Sequence, residues 1–130
     1  MFLPDMKSLI VALVCVLAST MSSTVQAADA PYRHVVLFKF KESATPEQIK
    51  NVESAFRALA TKINTIQSLE WGTNVSPENK NDGFTHCFFV TFKDKAGVDV
   101  YLPHPAHKEF GSTLRGILDK VLVIDYVAQS

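Results

Sequence analysis

Alternating apolar positions and three-to-four spacings divide the chain into elements from residue 34 onward. HVVLFKF, His34 to Phe40, is rich in β-branched and aromatic residues and reads as a strand, with Val36, Phe38 and Phe40 on one face and Val35 and Leu37 on the other. Thr45-Pro46-Glu47-Gln48 then supplies an N-cap, a proline at the first helical position and a capping-box glutamine. A helix starts there: Ile49, Val52, Phe56, Leu59 and Ile63 form one apolar stripe, and Glu53, Arg57 and Lys62 stay off it. A second strand is predicted over Leu69 to Val75, followed by the polar, turn-rich loop SPENKNDG. FTHCFFVTF, Phe84 to Phe92, gives the third strand, in which Phe84, Phe88, Val90 and Phe92 oppose Cys87 and Phe89. Asp94 caps a short helix reaching Val100 and Tyr101, Pro103 and Pro105 interrupt it, and a second helical piece runs from Pro105 to about Leu118. VLVIDYV, Val121 to Val127, is the fourth strand.

This order, β-α-β-β-α-β, predicts an α+β, ferredoxin-like domain: a four-stranded antiparallel sheet with helices on one face. The strands are apolar on both faces, so one apolar face is left bare. A second copy packed sheet to sheet solves that, giving a homodimer through the open sheet face with a β-barrel-like centre. A tail or a separate partner is the alternative cover.

Composition narrows the setting. The chain has 130 residues with 13 Lys plus Arg against 13 Asp plus Glu, which fits one small domain and gives no electrostatic case for nucleic acid. Residues 1–27 carry Lys7, an apolar run from Leu9 to Ala18 and the small-residue exit Val25-Gln26-Ala27, the pattern of a secretory signal peptide. Spanning a bilayer takes about 20 apolar residues, so the run is too short for a retained anchor and no membrane association of the mature form is expected. Val14 before Cys15 does not fit a lipoprotein signal. The expected product, residues 28–130, is exported to a periplasm or secreted. Cys87 is its only cysteine, so it lacks an internal disulfide.

Candidate chemistry gathers in DVYLPHPAHKEF, Asp99 to Phe110. Pro103 and Pro105 are expected to push Leu102 and His104 into extended backbone, freeing Tyr101 and His107 from the opposed faces of a continuous helix. With Pro105 as the first helical residue, His107 lies in the first turn, where the helix dipole favours the neutral imidazole that a general base requires. Tyr101 is suited to polarise a carbonyl oxygen as enolate charge develops. The same pair reads equally as a hydrogen-bonded stitch across the kink. His104 can simply cap the turn, and His34 and His86, on strands with the parity of the neighbouring apolar residues, read by default as satisfied core histidines. His104 and His107 are three apart, but no acidic or thiolate ligand completes a signature, so no metal is expected. Trp71 and Phe110 read as core or pocket wall, and Cys87 as a small apolar residue.

His34 opening VVLFKFK, Trp71-Gly72, DGFTH ending at His86, and Tyr101 followed by HPAH and Phe110 together resemble the stress-responsive A/B barrel (dimeric α/β barrel) domain family over His34 to Tyr126, and within it the plant polyketide cyclases. In those cyclases a histidine and a tyrosine promote an intramolecular aldol condensation of a linear polyketide thioester. The resemblance places these roles on His107 and Tyr101, sets His34 and His86 around the same cavity, and implies neither metal nor organic cofactor. Phe56 and Phe88 fall at pocket positions where the cyclases carry a tyrosine and a smaller aliphatic residue. Two functions are therefore carried forward: binding of a small apolar carbonyl or phenolic compound, with acid/base chemistry by His107 and Tyr101 in a pocket lined by His34, His86, Phe56, Phe88, Trp71 and Phe110; or a non-enzymatic, stress-associated structural or interaction domain.

Overall fold

A computed structural model describes residues 30–130; the expected signal peptide, residues 1–27, lies outside the described residues. Strand β1 (Tyr32–Phe40) is followed by helix α1 (Pro46–Lys62), strands β2 (Ile66–Thr73) and β3 (His86–Phe92), helices α2 (Lys95–Tyr101) and α3 (Pro105–Ser112), and strand β4 (Leu118–Val127). The sheet is antiparallel in the order β2-β3-β1-β4, a ferredoxin-like arrangement. The second crossover is thus two short helices rather than one.

Local chemistry accounts for the boundaries. The Thr45 side chain accepts from the Gln48 backbone while the Gln48 side chain accepts from the Thr45 backbone, so the capping box read from the sequence forms at α1. The stripe of α1 delivers Val52, Phe56 and Leu59, each buried, onto the sheet. There Phe56 stacks on Phe88 with ring centroids 4.0 Å apart, and Phe38, Val90 and Phe92 complete a core whose large side chains are each expected to contribute about 1.5–3 kcal/mol.

Three boundaries differ from the sequence reading. Helix α3 stops at Ser112, short of Leu118, because the Ser112 and Thr113 hydroxyls donate to the Glu109 and Phe110 carbonyls and Gly116, at φ 77°, reverses the chain into β4. Strand β2 begins at Ile66, opposite Phe92, and ends at Thr73, leaving Val75 exposed. Phe84 lies before β3, where its amide donates to Asn81 to close the loop.

One face of the sheet carries the helices. The other presents Val35, Leu37, Cys87 and Phe89, which are partly buried, beside Leu122 and Ile124, 41% and 50% exposed. On it Arg33 lies over the Phe89 ring and donates to Thr91. Among the described residues no helix is long and apolar enough to cross a membrane.

Candidate functional site

Strand β4 is an edge, and the helices leave a gap above it. The result is a cavity of about 290 Å3 between β1, β4 and the α2–α3 corner. Phe38, Phe56 and Phe110 line one part, Val121 and Val123 a side wall; Leu102, Gly111 and Leu114 add apolar surface from the helices and the following turn. Four polar side chains reach it: His34, Tyr101, His107 and Asp125.

The α2–α3 corner delivers two of them. His104 is extended, as expected before a proline, and its Nδ1 accepts from the Ala106 amide to cap α3. Leu102 is not extended. It stays in the right-handed helical region at φ −61°, ψ −44°, because its amide completes α2 by donating to Val98 and offsets the usual disfavour before proline. Its carbonyl accepts the Nδ1–H of His107 at 3.0 Å. That bond fixes the tautomer: Nδ1 carries the proton, and in the neutral ring Nε2 keeps its lone pair. Burial pushes the His107 pKa below its ordinary value, the nearby His34 adds to the shift, and the Leu102 carbonyl opposes it. Burial is the leading cause of the shift that favours the neutral ring.

Tyr101 is 1% exposed, with its ring 4.5 Å from that of His107 and 5.5 Å from that of His34, centroid to centroid. Burial, with a smaller contribution from the charge of Asp125, raises its pKa well above the ordinary phenol value, so it remains a donor at neutral pH. Tyr101 and His107 meet through their rings rather than as a hydrogen-bonded stitch. Among the described residues no fully enclosed side-chain polar atom lacks a partner, and none of these residues offers one to the Tyr101 hydroxyl or to His34 Nε2, so both reach the cavity surface.

His34 donates from Nδ1 to Asp125 Oδ1 at 2.6 Å, and the Tyr32 hydroxyl donates to Asp125 Oδ2 at 3.0 Å. Strand pairing explains this clamp, since His34 faces Asp125 across β1 and β4 and Tyr32 lies two residues away on the same face. Asp125 escaped the sequence reading, although its signal was available. In VLVIDYV it follows Val121 and Val123 at period two, a carboxylate on an otherwise apolar face.

His86, Trp71 and Phe88 do not line this cavity. His86 Nε2 meets Glu53 Oε1 at 2.9 Å, its Nδ1 meets Thr85 Oγ1 at 2.8 Å, and its ring is parallel to Trp71. Phe88 is wholly buried under Phe56. Of the sequence candidates, then, His34, Phe56, Tyr101, His107 and Phe110 are brought together. Cys87 sits on the open face, where burial raises its thiol pKa. Among the described residues no group of His, Cys, Asp and Glu is arranged to hold a metal ion.

A ferredoxin-like sheet with a split second crossover and an apolar cavity holding histidine and tyrosine side chains defines the class: a small α+β domain built around a pocket at its edge strand. The chain belongs to the stress responsive A/B barrel domain family, which it matches over residues 32–128. It is 43% identical over 99 residues to the stress-response A/B barrel domain-containing protein HS1 of Arabidopsis thaliana, covering 76% of this chain and 91% of that one. Its identity to olivetolic acid cyclase of Cannabis sativa is 33% over 94 residues, 72% of this chain and 93% of the cyclase. Hydroxynitrile lyase from Passiflora edulis superposes with a TM-score of 0.73 at 25% identity, over 78% of this chain and 95% of the lyase. A dimeric protein of ferredoxin-like fold from Bacteroides fragilis superposes with a TM-score of 0.62 at 26% identity, over 75% and 96% of the two chains.

Proposed function

We propose that this protein binds a small, mostly apolar carbonyl or phenolic compound in the cavity at the α2–α3 corner and performs acid/base chemistry on it with His107 and Tyr101. The observation that carries this reading is the convergence of unpartnered polar atoms on an apolar cavity: His107 Nε2, freed by the bond from Nδ1 to Leu102, beside the protonated Tyr101 hydroxyl. Nε2 removes a proton from the carbon next to a carbonyl, or from a hydroxyl, and Tyr101 donates a hydrogen bond to the oxygen on which negative charge collects. The proton held on Nε2 then returns to the product. Ring closure, the activity that the cyclase's name states, uses a base and an oxygen donor in this relation; hydroxynitrile cleavage, which the lyase's name states, uses a base on the hydroxyl, and the proton it takes goes to the cyanide that leaves as the carbonyl forms.

The working form is a homodimer in which a second copy covers Val35, Leu37, Phe89, Leu122 and Ile124 on the open face, as the dimeric neighbours support. Residues 1–27 direct the chain for export, to a periplasm or to the outside, and the expected result of an intact-mass measurement on the exported protein is a first residue near Ala28.

The alternative is a stress-associated structural domain in which His107 serves only to tie α3 to the Leu102 carbonyl. A thermal-shift screen against β-polyketones, alkylphenols and aryl ketones, run on the wild type and on His107→Ala, separates the two. Stabilisation of the wild type by one chemical class, lost in a variant that still folds, supports the binding site. A variant that melts earlier, with no compound acting on either protein, supports the structural role.

A further inference from the structure

We infer that the cavity selects an uncharged head group over a carboxylate, so that its ligand is a neutral ketone, aldehyde or phenol. The inference rests on the binding reading above and narrows its substrate class.

Charge at the cavity wall decides the selection: His34 and Tyr101 are buried, while the Asp125 side chain is 31% exposed and Val121 and Val123 beside it are half-exposed. Among the described residues no lysine or arginine lines the cavity, and the one acidic side chain there is that of Asp125. Both oxygens of Asp125 are held, one by His34 Nδ1 at 2.6 Å and one by the Tyr32 hydroxyl at 3.0 Å, so this charge is fixed in place beside the ligand space. Whichever protonation state His34 adopts, the pair carries a net charge of zero or minus one and never a positive one. His107 is the remaining side chain able to become a cation there, and burial together with His34 works against it. Lys95, on α2 near Tyr32, is paired with Asp99 at 2.8 Å. The rest of the wall is apolar: Phe38, Phe56, Phe110, Val121 and Val123.

A carboxylate entering this space gives up part of its hydration, meets the like charge of Asp125, and finds no cation that Asp125 does not already neutralise unless His107 takes up a proton against its burial. A neutral carbonyl oxygen loses far less on leaving water and accepts the Tyr101 hydrogen bond in compensation. The sequence alone concealed this property, because the net charge of the chain is zero and the selecting carboxylate comes from the last strand.

The test is a matched pair, 4-ethylacetophenone and 4-ethylbenzoate, titrated into the purified protein at pH 7.5, with the ring NMR signals of His107 and Tyr101 reporting position. The ketone is expected to bind about ten-fold more tightly or better, and Asp125→Asn to shrink that ratio mainly by improving the benzoate. Benzoate binding as tightly as the ketone, with the same ring signals perturbed, overturns the charge selection and leaves the binding site standing. Neither probe moving those signals overturns both. An unchanged ratio in folded Asp125→Asn overturns Asp125 as the source of the selection, and the wild-type ratio is decisive on its own if that variant does not fold.

Discussion

His34 and His86 lie on neighbouring strands, point to the same face of the sheet and are almost equally buried, at 4% and 7% exposure. Their surroundings nonetheless differ in kind. At His86 both ring nitrogens are engaged, by Glu53 and by Thr85, and Trp71 and Phe40 enclose the ring. At His34 one nitrogen is fixed on Asp125 and the other faces a cavity shared with Tyr101 and His107. Burial alone does not distinguish a structural histidine from an available one; the count of satisfied nitrogens does. The first region ties α1 to the sheet, and the second keeps polar atoms in reserve for a ligand.

The strongest way to break this contrast is to remove the base. His107→Ala is expected to lower proton abstraction by about 10²–10⁴-fold, read as deuterium exchange next to the carbonyl of a bound ketone. Stability should change by no more than about 1 kcal/mol, the worth of the bond to Leu102. Full exchange in the variant would remove His107 from the chemistry.

Tyr101→Phe sharpens the comparison further. The hydroxyl has no partner in the chain among the described residues, so the variant should melt like the wild type while exchange falls by about 10²-fold. A clear loss of stability would mean that the hydroxyl is structural.

The opposite pattern is expected at the other region. His86→Ala leaves Glu53 and Thr85 unpaired and opens a void against Trp71, a loss of about 1–3 kcal/mol in denaturant unfolding. Partial exposure of Glu53 favours the lower end, and ligand-induced shifts in melting should persist. Loss of binding at unchanged stability would reverse the assignment of the two regions.

The smallest effect is a matter of pH. Since burial lowers the His107 pKa below 6.5, the base form survives into mildly acidic solution, and the acid limb of kcat/KM should lie below pH 6.5. The folded chain holds that proton less tightly than the unfolded one. This contribution to stability is therefore complete above pH 6.5 and lost as pH falls through the folded pKa. An acid limb above 6.5 would contradict the neutral, half-buried base.

The elements were legible because their causes are local. Thr45 and Gln48 cap α1, Asp94 caps α2, and alternation in HVVLFKF sorts Val36 and Phe38 inward. Leu102 departs from the proline expectation because that rule weighs one dipeptide, whereas the last hydrogen bond of α2 and the reach of His107 hold the residue helical. Helix α3 ends earlier than its apolar spacing implies, because that spacing continues past Ser112 while side-chain hydroxyls and Gly116 stop the helix.

By itself the sequence determined the antiparallel α+β fold, the apolar faces of the strands and the broken helix that carries Tyr101 and His107, since each follows from neighbours a few residues apart. Only the tertiary structure decided which histidines share a cavity. His86 pairs with Phe38, four residues along β1 from His34, which separates the two by about 13 Å of strand. Asp125 meets His34 across 91 residues of chain because β4 returns to the edge beside β1. Contacts of that range depend on strand order and register, which no local pattern encodes.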